Sequence, residues 1–335
     1  MPPFNDTAPA LSVVAPCYNE VEGLQAFYDR TRAACEAVSG DDYEIVLVDD
    51  GSSDGTWAMI HALSLSHRQV VGVKLRRNHG HQLAATAGLF VSRGRRVMLI
   101  DADLQDPPEL LTEMMARMDQ GANVVYGKRK QREGETWFKL VSAAMFYRLL
   151  SRLSKVDIPR DTGDFRLMDR TTVNLLNNMP EHHRFIRGMV SWIGGRQVAL
   201  EYEREARFAG MSKYPLRKMI RFAIDAITSF SSAPLRFSAW AGVGAASLAF
   251  IMLIYTLVQW ARHSSITGWS SLMTAITFFS GCQLLMLGTI GEYLGRLVEE
   301  NKGRPLFMID QISSADQQVE LTMRAAPPKP VLTAP

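Results

Sequence analysis

Two acidic clusters are the residues of this chain best equipped for chemistry. Asp101-Ala102-Asp103-Leu104-Gln105 follows the apolar run Met98-Leu99-Ile100 directly. Aspartates at i and i+2 after a strand can bring oxygens around one divalent cation. Mg2+ and Mn2+ favour oxygen ligands, and Mg2+ commonly combines one or two carboxylates with phosphate oxygens. Such an ion would neutralise a diphosphate leaving group and act as a Lewis acid. Aspartate is also frequent at strand ends and helix caps, so the DxD pattern by itself signals only a turn. Its company adds weight. Asp49-Asp50-Gly51-Ser52-Ser53-Asp54-Gly55-Thr56 is a second polar, strand-end loop. Its carboxylates could accept hydrogen bonds from a base N–H or ribose hydroxyls. Ser52, Ser53 and Asp54 are read as turn and helix cap. The adjacent Asp49 and Asp50 are harder to explain structurally.

The elements that must position these loops are short apolar runs alternating with helical patterns. Strands are predicted at 11–15, 44–48, 70–75, 97–100 and 123–126. Helices are predicted at 21–38, 56–65 and 82–92, with another starting near Pro108. Continuous apolar strands separated by helices imply a parallel sheet covered on both faces. Ligands of such sheets bind beyond the carboxyl ends of the strands. Tyr18-Asn19-Glu20, Asp49-Asp50 and Asp101-Ala102-Asp103 all fall there. No GxGxxG follows the first strand and no GxxxxGK[ST] occurs, which argues against a dinucleotide oxidoreductase and a P-loop ATPase. Phosphates must be held another way, and a carboxylate-bound metal is the obvious means.

The ordered set PCYNE (16–20), VDDGSSDGT (48–56) and DADLQDPPE (101–109) resembles glycosyltransferase family 2, with its GT-A, Rossmann-like α/β fold. GKRKQREGE (127–135), DTGDFRLMDR (161–170), FIRGM (185–189) and RFAGMSKY (207–214) narrow the resemblance to polyisoprenyl-phosphate glycosyltransferases of the dolichyl-phosphate mannose synthase-like group. The bacterial type that glucosylates undecaprenyl phosphate is the nearest subgroup. The resemblance covers about residues 10–310. It implies an inverting transfer of one sugar, glucose from UDP-glucose, to undecaprenyl phosphate, with Mg2+ or Mn2+. By position, Asp101, Asp103 and Gln105 would surround the metal, Asp103 coordinating it directly. Pro16, Tyr18, Glu20 and Ala102 would line the nucleotide-sugar pocket, with Asp49 and Asp50 on base and ribose. Arg129 would contact phosphate, that of the acceptor. Arg207 and Lys213 would close over the phosphates. Asp161 and Asp164 would lie near the sugar and acceptor. His79, His81, His182 and His183 have no compelling metal spacing and are read as surface or loop residues. The absence of a QxxRW motif favours single transfer.

Charge is distributed unevenly. The chain has 335 residues, 37 Lys+Arg against 34 Asp+Glu, and a net charge of +3. That balance argues against nucleic acid as a partner. The three cysteines show no CxxC, so no disulfide scaffold is expected. Within 237–295 only Arg262 and Glu292 are charged. The runs 237–260 and 269–294 are read as a transmembrane hairpin; the first would span about 36 Å as a helix. Basic flanks on both sides put those flanks in the cytoplasm. The expected order is a flexible 1–10, a catalytic domain 11–214 with an interfacial helix at 137–153, and a juxtamembrane amphipathic helix at 215–236. The hairpin then follows, and a C-terminal segment 296–335 that is disordered after about 312. No cleavable signal peptide is visible. The expected location is the bacterial inner membrane, with both termini cytoplasmic. The resemblance adds a homo-oligomer, of which a tetramer is one form. The competing readings are another nucleotide sugar or lipid acceptor, and a non-catalytic membrane scaffold that keeps the fold.

Overall fold

A computed structural model describes residues 8–129, 162–182, 184–203, 233–261, 268–315 and 317–319. The expected helix at 137–153 lies outside these, as does all of the helix expected at 215–236 except 233–236, which open the first long helix of the second unit. Contacts divide the chain into two compact units, one formed by 1–147, 156–214 and 303–335, the other by 148–155 and 215–302.

The first unit is built on a nine-stranded sheet. Its strands are β1 (Leu11–Cys17), β2 (Tyr43–Asp49), β3 (Val70–Leu75), β4 (Arg96–Leu99), β5 (Val124–Arg129), β6 (Thr162–Asp169), β7 (Gln197–Tyr202), β8 (Ile309–Ser314) and β9 (Gln317–Val319). They lie in the order β7-β5-β6-β4-β1-β2-β3-β8-β9. The predicted strands β1 to β5 are all present, each longer or shifted by a few residues at most. β1 and β2 are buried along their whole length, as expected of strands covered on both faces. The covering helices are α1 (Leu24–Ser39), α2 (Thr56–Ser66), α3 (His81–Val91), α4 (Leu111–Asp119), α5 (Arg170–Asn178) and α6 (Ile186–Ile193). In α1 the buried residues Leu24, Phe27, Tyr28, Thr31, Ala34 and Cys35 recur at helical spacing and form one core-facing stripe.

The sheet is mixed rather than parallel. β1 pairs in parallel with β2 and β4, and β2 with β3, but β6 runs antiparallel between β4 and β5. β7 is again parallel to β5. The carboxyl ends of β1 to β5 and β7 therefore share one edge with the amino end of β6. This reversal brings Asp164 to the same edge as Asp101 and Arg129.

The ends of the chain depart from expectation. Pro9 is buried, and the backbone at Pro9 and Ala10 bonds to Arg95 and Asp42, so order begins before residue 11. Instead of losing structure near 312, the C-terminal segment adds β8 antiparallel to β3 and then β9. Ser313 has no exposed surface; it lies 2.9 Å from His61 Nδ1 and 2.7 Å from Ser64 Oγ. These bonds tie the returning strand to α2. All three cysteines are free.

α3 packs close to the sheet because its inner face is small. A Cβ on Gly88 would lie 2.3 Å from Val14 Cγ1 and 2.9 Å from Val48 Cγ2. Gly88→Ala is expected to destabilise the protein by about 1–3 kcal/mol through overpacking, seen as a lower unfolding temperature. An unchanged temperature would mean that the strand side chains repack freely.

The second unit contains α7 (Ala233–Ala261, 29 residues) and α8 (Trp269–Asn301, 33 residues). At ~1.5 Å per residue these are about 44 and 50 Å long. They pack on each other, with Gly242 set against Met286. Among the described residues, a Cβ on Gly288, Gly291 or Gly295 would meet nothing within 4 Å. Large apolar side chains face outward, among them Phe237, Trp240, Phe250, Leu284 and Leu285. Among the described residues, no helix is long and apolar enough to cross a membrane. The sequence of 237–260 is free of formal charge throughout.

Candidate functional site

Strand ends and the loops that follow them build the site. The loop after β1 and the loop after β2 form one surface. Asn19 N donates to Ser52 Oγ, Ser53 N to Asn19 Oδ1, Glu20 N to Thr56 Oγ1 and Val21 N to Asp54 Oδ2. Asp54 also accepts from Thr56 N. Ser52, Ser53 and Asp54 thus do the turn and cap work expected of them. Asn19 holds a left-handed backbone at φ 56°, which Asn tolerates better than most residues. Pro16 is buried at the end of β1, Glu20 is half-buried, and Tyr18 is 50% exposed at the rim.

The two adjacent aspartates divide their work. Asp50 accepts from His79 N at 2.7 Å and Gly80 N at 2.9 Å, so both its oxygens fasten the loop that enters α3. This supplies the structural explanation that the sequence lacked. Asp49 accepts from Ser52 N at 3.2 Å through Oδ1, while its buried Oδ2 has no hydrogen-bond partner among the described residues.

The acidic loop after β4 is tightly turned. Gln105 N donates to Asp103 Oδ1 at 3.2 Å, an Asx turn. Leu104 between them has φ 59° and is buried. A buried Leu in the left-handed region is strained, and such strain persists only where its surroundings impose it. Ala102 and Gln105 are buried, and Asp101 and Asp103 half-buried.

Beside this loop lies a charge cluster. His81 Nε2 is 3.3 Å from Asp101 Oδ1 and 3.4 Å from Asp164 Oδ2. Gln82 Nε2 donates to Asp164 Oδ2 at 2.6 Å, and Gln82 Oε1 accepts from Ile186 N at the start of α6. Arg187 Nε approaches Asp164 Oδ1 at 3.4 Å, and Arg166 Nη2 lies 4.0 Å from it. Burial pushes the Asp164 carboxyl upward, but His81, Arg187 and Arg166 outweigh it and hold the group far below the usual carboxylate range. Burial disfavours the His81 imidazolium, yet Asp164 and Asp101 raise its pKa to about 9. Asp164 is committed to four neighbours, which suits positioning rather than proton abstraction.

Asp101 answers whether these residues suit a cation. Burial pushes its carboxyl up to about 6; His81 opposes this, and Asp164, Asp106 and Asp103 add to it. His81 sits close but out of hydrogen-bond alignment, leaving Asp101 Oδ1 buried without a hydrogen-bond partner among the described residues. An acid in that position, next to a second carboxylate and an amide, fits a hard oxygen-seeking cation. Among the described residues no three His, Cys, Asp or Glu gather as a metal cluster. Two carboxylates suffice for an ion that takes its other ligands from phosphate and water.

Of the remaining expected residues, Arg129 ends β5 at this same edge. Asp161, Arg207 and Lys213 lie outside the described residues. Sequence reasoning missed His81, Gln82 and Arg187. The available signal was position: His81 and Gln82 open the helix that follows β3, at the ligand-binding edge.

An acid-lined strand edge on a mixed α/β sheet is the arrangement of a GT-A-type domain. A family model described as glycosyl transferase family 2 matches residues 12–175, and one described as GtrB C-terminal hairpin matches 233–297. The chain is 44% identical over 301 residues to an uncharacterized glycosyltransferase, YkcC, of Bacillus subtilis (strain 168), covering 90% of this chain and 93% of that protein. It is 38% identical over 303 residues to the bactoprenol glucosyl transferase of Shigella phage SfV, covering 89% and 97%. It is 37% identical over 306 residues to a prophage bactoprenol glucosyl transferase homolog of Escherichia coli (strain K12), covering 90% and 99%. The chain belongs to glycosyltransferase family 2.

Proposed function

We propose that this protein transfers one glucose from UDP-glucose to undecaprenyl phosphate at the bacterial inner membrane, with inversion at the anomeric carbon. The observation that carries the acceptor is the extent of the likeness. Relatives named bactoprenol glucosyl transferase match through the catalytic domain and the hairpin together. A water-soluble enzyme acting on a soluble acceptor would have no use for two long helices bearing outward apolar side chains.

The topology supports the same reading. Residues 156–214 and 303–335, on either side of the hairpin, belong to one unit, and β8 pairs with β3. A chain that leaves this unit and returns to it crosses any membrane an even number of times. Two crossings, at 237–260 and 269–294, would keep the catalytic domain and both flanks in the cytoplasm, as their basic residues favour.

Asp101, Asp103 and Gln105 would hold Mg2+ or Mn2+, which when bound supplies positive charge to the diphosphate leaving group. The chain's own residues do the rest. Asp49, with one oxygen engaged by Ser52, accepts from the nucleoside through the other. Pro16, Tyr18 and Glu20 wall the nucleoside pocket. Arg129, Arg207 and Lys213 offset repulsion between two anionic substrates, the arginines by forked contacts and the lysine as a point charge. A phosphate monoester has a second pKa of about 6 and is largely dianionic at neutral pH. Its oxygen can therefore attack the anomeric carbon without a strong general base as the bond to the diphosphate breaks. The full engagement of Asp164 accords with this, because no proton need be removed. Binding energy then serves orientation and charge stabilisation.

The test is purified full-length protein with Mn2+ or Mg2+, undecaprenyl phosphate and a panel of nucleotide sugars, read by mass spectrometry and NMR of the lipid product. The expected product is a β-linked glucosyl lipid phosphate from the α-linked donor. An α-linked product would overturn inversion, and a different sugar would overturn the donor. Failure of a folded sample with every donor would favour a non-catalytic scaffold.

A further inference from the structure

Two buried side chains join Arg129 to the acidic loop. Asp106 follows Gln105 and has no exposed surface. Tyr202, the last residue of β7, is buried and donates its hydroxyl hydrogen to Asp106 Oδ1. Arg129 and Tyr202 are register partners across β5 and β7. Arg129 Nε donates to Tyr202 Oη at 3.3 Å, and Arg129 Nη2 lies 3.7 Å from Asp106 Oδ1.

The surroundings hold this arrangement in place. A Cβ on Gly127 would come within 2.8 Å of Tyr202 Cε1 and 2.7 Å of Phe165 Cδ1. Tyr202 and Phe165 pack edge to face with centroids 5.7 Å apart. A Cβ on Gly163 would lie 2.7 Å from Arg129 Nη2. Glycine at 127 admits the tyrosine ring, and glycine at 163 admits the guanidinium. Burial works against the Arg129 charge, but Asp106 and Tyr202 raise its pKa above the ordinary value. Its side chain nonetheless keeps 29% of its surface open.

We propose that Asp106 and Tyr202 are positioning residues that hold the Arg129 guanidinium ready for the acceptor phosphate and tie it to the loop that carries Asp101 and Asp103. The inference rests on the reading of Arg129 as an acceptor-phosphate contact. A long side chain loses rotamer freedom when it binds a ligand. Two anchors, one neutral and one anionic, remove most of that loss before the acceptor arrives, which is preorganisation. Because Asp106 belongs to the acidic loop, the groups that meet donor and acceptor share one buried carboxylate.

The test uses full-length protein in lipid nanodiscs and measures kcat and the KM of each substrate. The variants are Arg129→Ala, Tyr202→Phe, Asp106→Asn and the Arg129→Ala/Tyr202→Phe double. Tyr202→Phe keeps the ring and carries the test should Asp106→Asn fail to fold. Tyr202→Phe is expected to raise the acceptor KM about tenfold, the effect of losing a hydrogen bond to a charged group, with the donor KM within about twofold of wild type. The double variant is expected to match Arg129→Ala alone within about twofold, because Tyr202 acts through Arg129. Equal rises in both KM values, or defects that multiply in the double variant, would overturn the positioning role and leave Arg129 as a phosphate contact. An unchanged acceptor KM in Arg129→Ala would overturn both.

Discussion

Asp103→Asn is expected to lower turnover by about three orders of magnitude, the scale seen when charge stabilisation of a transition state is removed. The substitution is nearly isosteric and leaves an oxygen to accept from Gln105 N, which bonds Asp103 Oδ1 at 3.2 Å. Asp103 is also half-buried rather than enclosed. The strained turn at Leu104 should therefore persist, and the unfolding temperature should stay within a few degrees of wild type. What would disappear is one of the two carboxylate charges proposed to hold the cation. The measurement is turnover against Mn2+ and Mg2+ concentration, beside thermal unfolding of the same sample. Near-normal turnover at saturating metal would remove Asp103 from the site. A folded-state collapse would show that its role is structural.

The contrast with Asp50 explains what the sequence could and could not reveal. Asp49, Asp50, Asp101 and Asp103 were all visible as acids at the ends of apolar strands. Strand ends are legible because a strand buried on both faces is a continuous apolar run. Which acid faces a ligand is a matter of hydrogen-bond partners, and the partners of Asp50 are backbone amides of His79 and Gly80, distant in sequence. The motif cannot show that.

β6 escaped prediction for a related reason. Thr162–Asp169 carries Asp164 and Arg166, both buried. Buried charges occur where they are paired, and the pairing arises only once β6, α3 and α6 come together. A reading based on apolar runs takes such a strand for a loop. β8 was hidden by its polarity: IDQISS resembles a solvated tail, yet Ile309 and Ile312 are buried and Ser313 bonds to α2. His81 looked like a surface residue because its carboxylate partners, Asp101 and Asp164, are far away in sequence. The left-handed backbone at Asn19 and Leu104 leaves no mark in composition at all.

Asp164→Asn should have the largest effect on stability. Its carboxylate receives Gln82 Nε2 at 2.6 Å and faces His81, Arg187 and Arg166 at 3.4, 3.4 and 4.0 Å. Arg166 is almost wholly buried, and burial lowers its pKa to about 10 against the upward pull of Asp164. Without the carboxylate, this cluster keeps buried cations and loses the anion that balances them. Breaking a buried pair from one side costs about 3–5 kcal/mol, so the variant should unfold at much lower temperature or denaturant. The sign of the pH dependence follows from the depressed pKa. The contribution of Asp164 is complete above its unfolded value of 3.8 and is lost as the pH falls below that toward the folded value. From Asp164 alone the stability gap between wild type and variant should therefore stay level from pH 7 down to about pH 5 and narrow only in stronger acid; His81, whose raised pKa depends on Asp164, adds a modest widening as the pH falls through its unfolded value of 6.5. A gap below about 1 kcal/mol at pH 7 would fit a weak surface pair instead. A gap that closes between pH 7 and pH 5 would mean that the carboxylate titrates near neutrality, leaving it able to take a proton during turnover and reopening the case for Asp164 as a base.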